Sequence, residues 1–255
     1  MGKPFVVPCA RLQLDAPMRW LRLGWHDLRR SPALSLLFGT LIMLVSAGIS
    51  ALAWKLGRFA LLAALLSGFI FIAPLLAASL YCVSRQLAAD RHPRLLDCLS
   101  LARRVLGQAG VFALALLVIL LVWSRAGMMV SAFFPVQPGE LGSLLEFLAL
   151  GSAIGSLFAA LTFAAAVFSL PMIADRDVDM ITACVSSISA VLRNKRVMLV
   201  WALLIVGLTA AGFATAFVGL IVVMPWLAYS SWHAYLETLD SSSWPELPIA
   251  RPGST

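Results

Sequence analysis

The chain has 255 residues, of which 61% are hydrophobic and only 12% are charged, with a net charge of +7. A soluble domain carries about twice that share of charged residues, so the composition excludes an ordinary soluble protein. The basic residues sit in short segments between long apolar stretches. We expect that no basic groove can be built from such segments, which argues against nucleic acid as a partner.

The first segment, residues 1–17, is mixed in character, broken by prolines and without the pattern of a cleaved signal. We predict an N-terminal cytoplasmic tail. A surface helix follows, with an apolar stripe of Met18, Leu21, Trp25 and Leu28. Two later stripes of this kind are Leu95, Leu99, Ala102 and Leu106, and then Ile181, Val185, Ile188 and Leu192.

Long uncharged stretches follow each surface helix. About 20 apolar residues cross the hydrocarbon core, and only as a helix. The first four predicted spans are Ala33–Trp54, Phe59–Cys82, Ala109–Ala132 and Leu150–Ala174. Residues 197–236 are too long for one span, so we predict a hairpin of two spans that turns near Ala211–Thr215. The fold class is therefore an all-α polytopic transmembrane helix bundle of six spans, with a short amphipathic insertion at Pro135–Leu150.

The distribution of basic residues indicates the orientation. If both termini are cytoplasmic, sixteen Lys and Arg residues lie inside, and only Lys55, Arg58 and Arg125 lie outside. This bias predicts a multi-pass protein of the bacterial inner membrane, with residues 239–255 as a C-terminal cytoplasmic tail. A five-span alternative would place that tail outside, and only Arg251 argues against it.

Internal similarity divides the single membrane domain, residues 18–238, into repeats. Each repeat is a surface helix followed by a transmembrane hairpin, at about 18–88, 93–176 and 179–238. The shared residues are Gly68 and Pro74 in the second span, Gly219 and Pro225 in the sixth, and Pro171 in a weaker copy. An even number of spans per unit makes the repeats parallel. A central pathway between them is possible in principle, but a packed bundle is favoured because no polar residues mark an inner face.

Three motifs carry a resemblance to a known family: Arg19-Trp-Leu-Arg-Leu-Gly-Trp-His-Asp-Leu28, Ser169-Leu-Pro-Met-Ile-Ala-Asp-Arg-Asp-Val-Asp179 and Trp232-His-Ala-Tyr235. Over nearly its full length the chain resembles the bacterial integral membrane family known as domain of unknown function 2189. That resemblance implies no biochemical activity. The repeat unit is more distantly similar to the membrane domains of some glycerophosphodiester phosphodiesterases. Their catalytic domain is absent here, so no hydrolase activity follows.

An acidic cluster of Asp175, Asp177 and Asp179 follows the fourth span. It could bind a divalent cation, or Asp175 could accept a proton during transport. We favour a structural role in which Asp179 caps the next surface helix and neutralises Arg176.

His233 lies between Trp232 and Tyr235, which are typical of an interfacial aromatic belt. His233 would then bond a headgroup or the first surface helix; a functional pairing with Asp175 is the alternative. Heme ligation by His26 and His233 is weaker, since both lie near the surface. Arg125 is expected to reach the outer headgroups; facing inward, it would contact an anion.

Small residues and prolines mark several spans. Gly151 and Gly155 form a GxxxG motif for helix packing, and Gly68 and Gly219 are also predicted to serve helix packing. Pro74, Pro171 and Pro225 are expected to kink helices. The cysteines Cys9, Cys82, Cys98 and Cys184 form no ligand set, so they are interpreted as small buried or interfacial side chains. We predict no metal and no cofactor.

The leading functional hypothesis is a non-enzymatic accessory or interaction component of the membrane, whose partners are the lipid bilayer and other membrane proteins. It rests on the lack of catalytic constellations and interior charges in the sequence. The alternative is a small-solute or ion transporter or channel, indicated by the repeats and the Gly/Pro-marked spans. A lipid enzyme ranks last, because no nucleophile and base pair or histidine-rich metal site is present.

Overall fold

The computed structural model describes residues 6–56, 59–135 and 140–248, with side chains described except at residues 53, 56 and 59–71. Within these residues the fold is all helical, apart from two isolated β-bridges. The helices are α1 (Ala16–Arg30), α2 (Pro32–Leu56), α3 (Phe59–Ala88), α4 (Leu95–Arg104), α5 (Leu106–Phe133), α6 (Leu141–Ala166), α7 (Ser169–Asp175), α8 (Met180–Arg193), α9 (Lys195–Ala214) and α10 (Leu220–Thr238).

Four helical segments of the described chain are long and apolar enough to cross a membrane: Pro32–Leu52, Leu106–Phe133, Leu141–Asp175 and Lys195–Ala214. They match four of the six predicted spans. At the second predicted span, the described side chains form only the shorter apolar stretch Ile72–Ala88. At the sixth, α10 carries polar and aromatic side chains through its second half.

Two predicted boundaries are wrong. The amphipathic insertion at Pro135–Leu150 is replaced over its second half by α6, which begins at Leu141, because that stretch is apolar at helical spacing and contains only one charge, Glu146. The hairpin near Ala211–Thr215 turns later, after α9 ends at Ala214.

The later turn depends on a close contact between glycines. A Cβ on Gly219 would lie 3.0 Å from the Cα of Gly212 and 2.6 Å from the Thr215 hydroxyl. Ala216 and Phe217 between them adopt positive φ values of 51° and 70°, which reverse the chain direction. The turn therefore forms where two small residues let α9 and α10 meet.

The core lies around the second half of α10. Its largest fully buried side chains include Trp20, Trp201, Trp232, Tyr229 and Tyr235. The Trp20 and Trp201 rings meet edge to face with centroids 5.4 Å apart, which joins α1 to α9. The apolar lengths of α2, α5 and α6 carry few buried side chains, as expected for helices surrounded by lipid tails.

Close helix crossings occur at Gly24 and Gly39. A Cβ on Gly24 would lie 2.7 Å from the Ser230 backbone nitrogen, and one on Gly39 would lie 1.9 Å from the Ile221 carbonyl oxygen. Both positions need glycine because any side chain would strike the α10 backbone. The short helix α1 and the long helix α2 thus pack directly on α10.

The predicted apolar stripes of the three short helices are buried only in part. Leu21 and Ala102 are buried, whereas other stripe residues are exposed, among them Met18, Leu99, Leu106, Ile181 and Leu192. α1 also buries Trp20, while the face that α8 buries consists of small and polar residues. In a membrane protein an exposed apolar stripe can face lipid, which agrees with the prediction of surface helices.

A break separates α6 from α7, close to Pro171. The Ser187 hydroxyl of α8 lies within the break, donates to the Ala164 carbonyl at 2.6 Å and accepts from the Phe168 amide at 3.2 Å. These two backbone groups would otherwise bond each other in a continuous helix. Pro171 lacks the amide that would continue the ladder, so the predicted kink at this position takes the form of a short break.

The two terminal segments, residues 6–15 and 239–248, contact each other on one face of the bundle. The Ala10 amide donates to the Thr238 carbonyl and the Asp240 amide donates to the Pro8 carbonyl, each at 2.9 Å. We call this side of the molecule the tail face. Both terminal segments therefore lie on the same side of the molecule.

Candidate functional site

Asp175 lies at the centre of a buried ionic cluster on the tail face. Arg85 Nε of α3 is 3.1 Å from its Oδ1, and Arg176 Nε is 2.9 Å from its Oδ2. The Tyr235 hydroxyl of α10 donates to the same Oδ2 at 2.9 Å. The side chains of Arg85 and Asp175 are only 8% and 6% exposed. Arg85, Asp175, Arg176 and Tyr235 are called the Asp175 cluster below.

The Asp175 cluster also holds the C-terminal segment. Arg85 Nη2 donates to the Leu247 carbonyl at 2.5 Å, and the Leu247 amide donates to the Asp175 carbonyl at 2.9 Å. Arg176 Nη1 donates to the Trp244 carbonyl at 3.1 Å. Residues of α3, α7 and α10 and the segment after α10 thus meet at one carboxylate.

Charge in this region is balanced locally. Arg176 Nη2 lies 3.3 Å from Glu246 Oε1, so two guanidinium groups face two carboxylates. Burial alone would lower the pKa of Arg176, but the charge and hydrogen bond of Asp175 outweigh it and leave that pKa raised. Both oxygens of Asp175 already have partners, so a metal ion or transported proton would have to displace an existing ion pair.

A second buried cluster joins α1, α3 and α10. Asp27 Oδ2 accepts a hydrogen bond from the Ser84 hydroxyl at 2.8 Å and lies 2.8 Å from His233 Nε2. Asp27, Ser84 and His233 are called the Asp27 cluster below. His233 therefore does not pair with Asp175, as one hypothesis had it. It contacts the first surface helix instead, as the other hypothesis predicted.

The other acidic residues of the predicted cluster diverge. Asp177 is exposed, and Asp179 caps α8 by accepting a hydrogen bond from the Thr182 amide at 2.9 Å. The predicted cap is confirmed, but the carboxylate neutralising Arg176 is Asp175 rather than Asp179. Among the described residues, no group of three or more His, Cys, Asp or Glu side chains is placed to hold a metal ion.

The aromatic residues beside His233 are not an interfacial belt. Trp232 and Tyr235 are both buried, and Trp232 stacks on Tyr81 of α3 with centroids 6.3 Å apart. Arg125 of α5 is exposed, as expected for a side chain reaching headgroups and not for one facing the bundle interior. His26 is exposed on α1, whereas Nε2 of His233 lies against Asp27, so nothing in this arrangement supports heme ligation by the two histidines.

Of the predicted packing glycines, Gly219 makes a close contact with Gly212 at the turn between α9 and α10, whereas Gly151 and Gly155 have few close neighbours. A Cβ on Gly151 would meet nothing within 4 Å, and one on Gly155 would meet only Trp123 Nε1, at 3.7 Å. The close crossings are at Gly24 and Gly39 instead. Gly68 falls outside the residues whose side chains are described.

The cysteines are buried or partly buried, as predicted, whereas the kinks at Pro74 and Pro225 stay a prediction. Pro74 and Pro225 lie inside α3 and α10, and both are buried. Cys82 and Cys98 are buried, while Cys9 and Cys184 are partly buried. For Cys98, contact with Cys82 and then burial raise the pKa, so its thiol is held in the protonated form.

Sequence reasoning missed Arg85, Asp27 and Ser84. The spacing of Asp27 could have indicated its burial, because Asp27 lies at helical spacing from Trp20 and Gly24 on the face that α1 buries. Arg85 was counted only as a cytoplasmic charge. Its partner Asp175 is far away in sequence, and no local pattern connects the two.

The helical fold, its apolar spans and its lipid-facing surface define an integral membrane protein. Residues 61–175 match the model of a family described as predicted integral membrane proteins, domain of unknown function 2189. The predicted resemblance is confirmed over that segment, which includes Arg85 and Asp175. The motifs Arg19–Leu28 and Trp232–Tyr235 lie outside it, and the similarity to glycerophosphodiester phosphodiesterases is not shown. No curated protein and no solved structure matches the chain.

Proposed function

We propose that the chain is a non-enzymatic accessory or interaction component of the membrane, which presents its tail face to other membrane proteins. One observation carries the proposal: the buried carboxylate Asp175 is fully engaged in fixing the C-terminal segment to three helices. Buried charges in a transporter face a solute path. Here they hold an external surface in a fixed conformation.

We further propose six spans arranged as three parallel repeats, with both termini in the cytoplasm of a bacterial cell. In support, the order of one short helix and two long helical segments recurs three times, with α6 and α7 together forming one segment. The contact between the two terminal segments requires an even number of crossings. The excess of basic residues beside this face supports the cytoplasmic orientation. A reporter fused after Thr255 that reads as periplasmic would contradict the orientation.

Photocrosslinking in intact membranes tests the interaction role. A photoreactive residue at the exposed position Ser242 on the tail face should give discrete heavier adducts, and the same residue at Phe133 on α5 should not. Asp175→Asn should reduce the Ser242 adducts because it removes the carboxylate that orients Arg85 and Arg176, the two side chains that hold the C-terminal segment. If the adducts from position 242 are unchanged in Asp175→Asn, the contact with the partner protein does not depend on the Asp175 cluster, and the proposal is contradicted.

The second candidate is an ion or small-solute transporter, favoured by the Asp27 cluster. That cluster places His233 of α10, a helix that also contains Pro225, against the buried carboxylate of Asp27 on α1. Purified protein in proteoliposomes should show no flux above empty vesicles, measured with a pH-sensitive dye and by swelling in salts and uncharged solutes. Flux that is lost in His233→Ala or Asp175→Ala would overturn the accessory role in favour of transport.

A further inference from the structure

A basic groove of about 660 Å³ opens on the tail face, between the N-terminal segment and the junction of α8 and α9. The expectation that the short basic segments form no groove is therefore wrong, because the fold brings two of these segments together. Its cations are Arg11, Arg193, Lys195 and Arg196, all exposed, and no Asp or Glu lines it. Within the described part of the chain, none of these four side chains forms an ion pair. Four positive charges around one concavity repel each other, and an anion between them would relieve that repulsion.

Buried hydrogen bonds fix the shape of the basic groove. Asn194 is buried between the two walls; its Oδ1 accepts from the Leu12 amide at 2.9 Å and its Nδ2 donates to the Ala10 carbonyl at 3.0 Å. The N-terminal segment is therefore held against the start of α9. A ligand would meet a groove that is already formed, so its binding would not have to order the chain first.

The groove also has an apolar side at the level of the membrane surface. α9 begins to span at Lys195, and the groove wall includes Leu14 and Leu192, which are 64% and 57% exposed. Cations beside exposed leucines at the start of a span match an amphiphile, with its anionic group on the arginines and its chains along the leucines. The first turn of α9 has no side-chain cap, so its free amides add to the positive potential.

We propose that the basic groove binds the phosphate headgroup of an anionic phospholipid from the leaflet on the tail-face side. The inference needs only that the chain is embedded in a membrane, and it does not depend on the accessory or transport role. A soluble phosphate compound would offer the same anionic chemistry but not the acyl chains. The exposed leucines favour the lipid.

Thermal unfolding of the full chain in uncharged detergent tests the inference, since a ligand that binds only the folded state raises the Tm. Added phosphatidylglycerol should raise the Tm saturably, whereas phosphatidylcholine should not. In R193Q/K195Q/R196Q the phosphatidylglycerol concentration that gives half of the maximal Tm rise should increase roughly 100-fold, because each cation near an anionic surface contributes about 1 kcal/mol. The charge-conserving R193K/R196K should keep most of the response.

The matched control, R22Q/R91Q/R103Q, removes three exposed cations elsewhere on the described surface. It should respond like the wild type. Equal loss in both triple variants would mean general charge attraction and would overturn the site. A Tm rise with pyrophosphate but not with phosphatidylglycerol would overturn the lipid as the source of the phosphate. An unchanged lipid response in R193Q/K195Q/R196Q would overturn the inference altogether.

Discussion

Asp175→Asn tests whether the Asp175 cluster holds the tail face together. The substitution keeps the side-chain volume but removes the charge that faces Arg85, whose side chain is 8% exposed. Arg85 would keep its bond to the Leu247 carbonyl, yet no carboxylate would be left beside it. Removing one partner of a buried pair costs about 3–5 kcal/mol, and the lower end applies because Arg176 retains Glu246.

A loss of about 3 kcal/mol corresponds to a fall in Tm of roughly 6–12 °C for a chain of this size. Thermal unfolding in uncharged detergent, followed by intrinsic tryptophan fluorescence, would measure it. The matched control is Asp177→Asn, two residues further along at an exposed position, which should change stability by less than about 0.5 kcal/mol.

The double variant R85L/D175L refines the test. If the ion pair is the source of the effect, removing both charges should recover part of the stability lost in either single variant. A neutral Asp175→Asn, or one that costs no more than Asp177→Asn, would refute the assigned role. So would a double variant whose loss equals the sum of the two single losses.

Three further predictions concern helix geometry, each read as thermal unfolding in the same detergent. Ser187→Ala leaves a buried amide and carbonyl unpaired at the break before α7 and should cost about 1–3 kcal/mol, whereas Ser156→Ala on the exposed face of α6 should cost almost nothing. Gly39→Ala should destabilise because its Cβ would lie 1.9 Å from a backbone carbonyl of α10, whereas Gly48→Ala, with open space around it, should be neutral or slightly stabilising. Asp179 tests pH dependence: burial raises its pKa, hydrogen bonds to the Thr182 amide outweigh this, and the folded pKa lies below the usual value. Its cap therefore stabilises above pH of about 4 and is lost as the pH falls further, so wild type should lose more stability on acidification than Asp179→Asn.

Hydrophobicity predicted the helices well because transfer from water to lipid depends on each residue and its immediate neighbours. α2, α5 and α9 lie close to their predicted positions for that reason. Helix crossings depend on which backbones approach each other. The sequence motif Gly151–Gly155 suggested one crossing, but the structure uses Gly24 and Gly39, whose partners on α10 are about two hundred residues away.

The candidate site was less predictable, for a similar reason. Asp175 and His233 were identified as ionisable groups at span ends, but their partners Arg85 and Asp27 are supplied by α3 and α1. Local spacing can show that a carboxylate follows a span or caps a helix, as it did for Asp179. It carries no information about which distant cation folds against that carboxylate.

The basic residues beside the spans differ in their partners. Arg19, Arg30, Arg85 and Arg176 each contact a carboxylate, and they tie helices or the C-terminal segment together. The cations of the basic groove have no such contacts within the described residues. A positive-inside bias alone would be satisfied by basic residues placed anywhere in these segments. The concentration of unpaired cations in one preformed groove therefore needs a second explanation, and a bound phosphate headgroup supplies one.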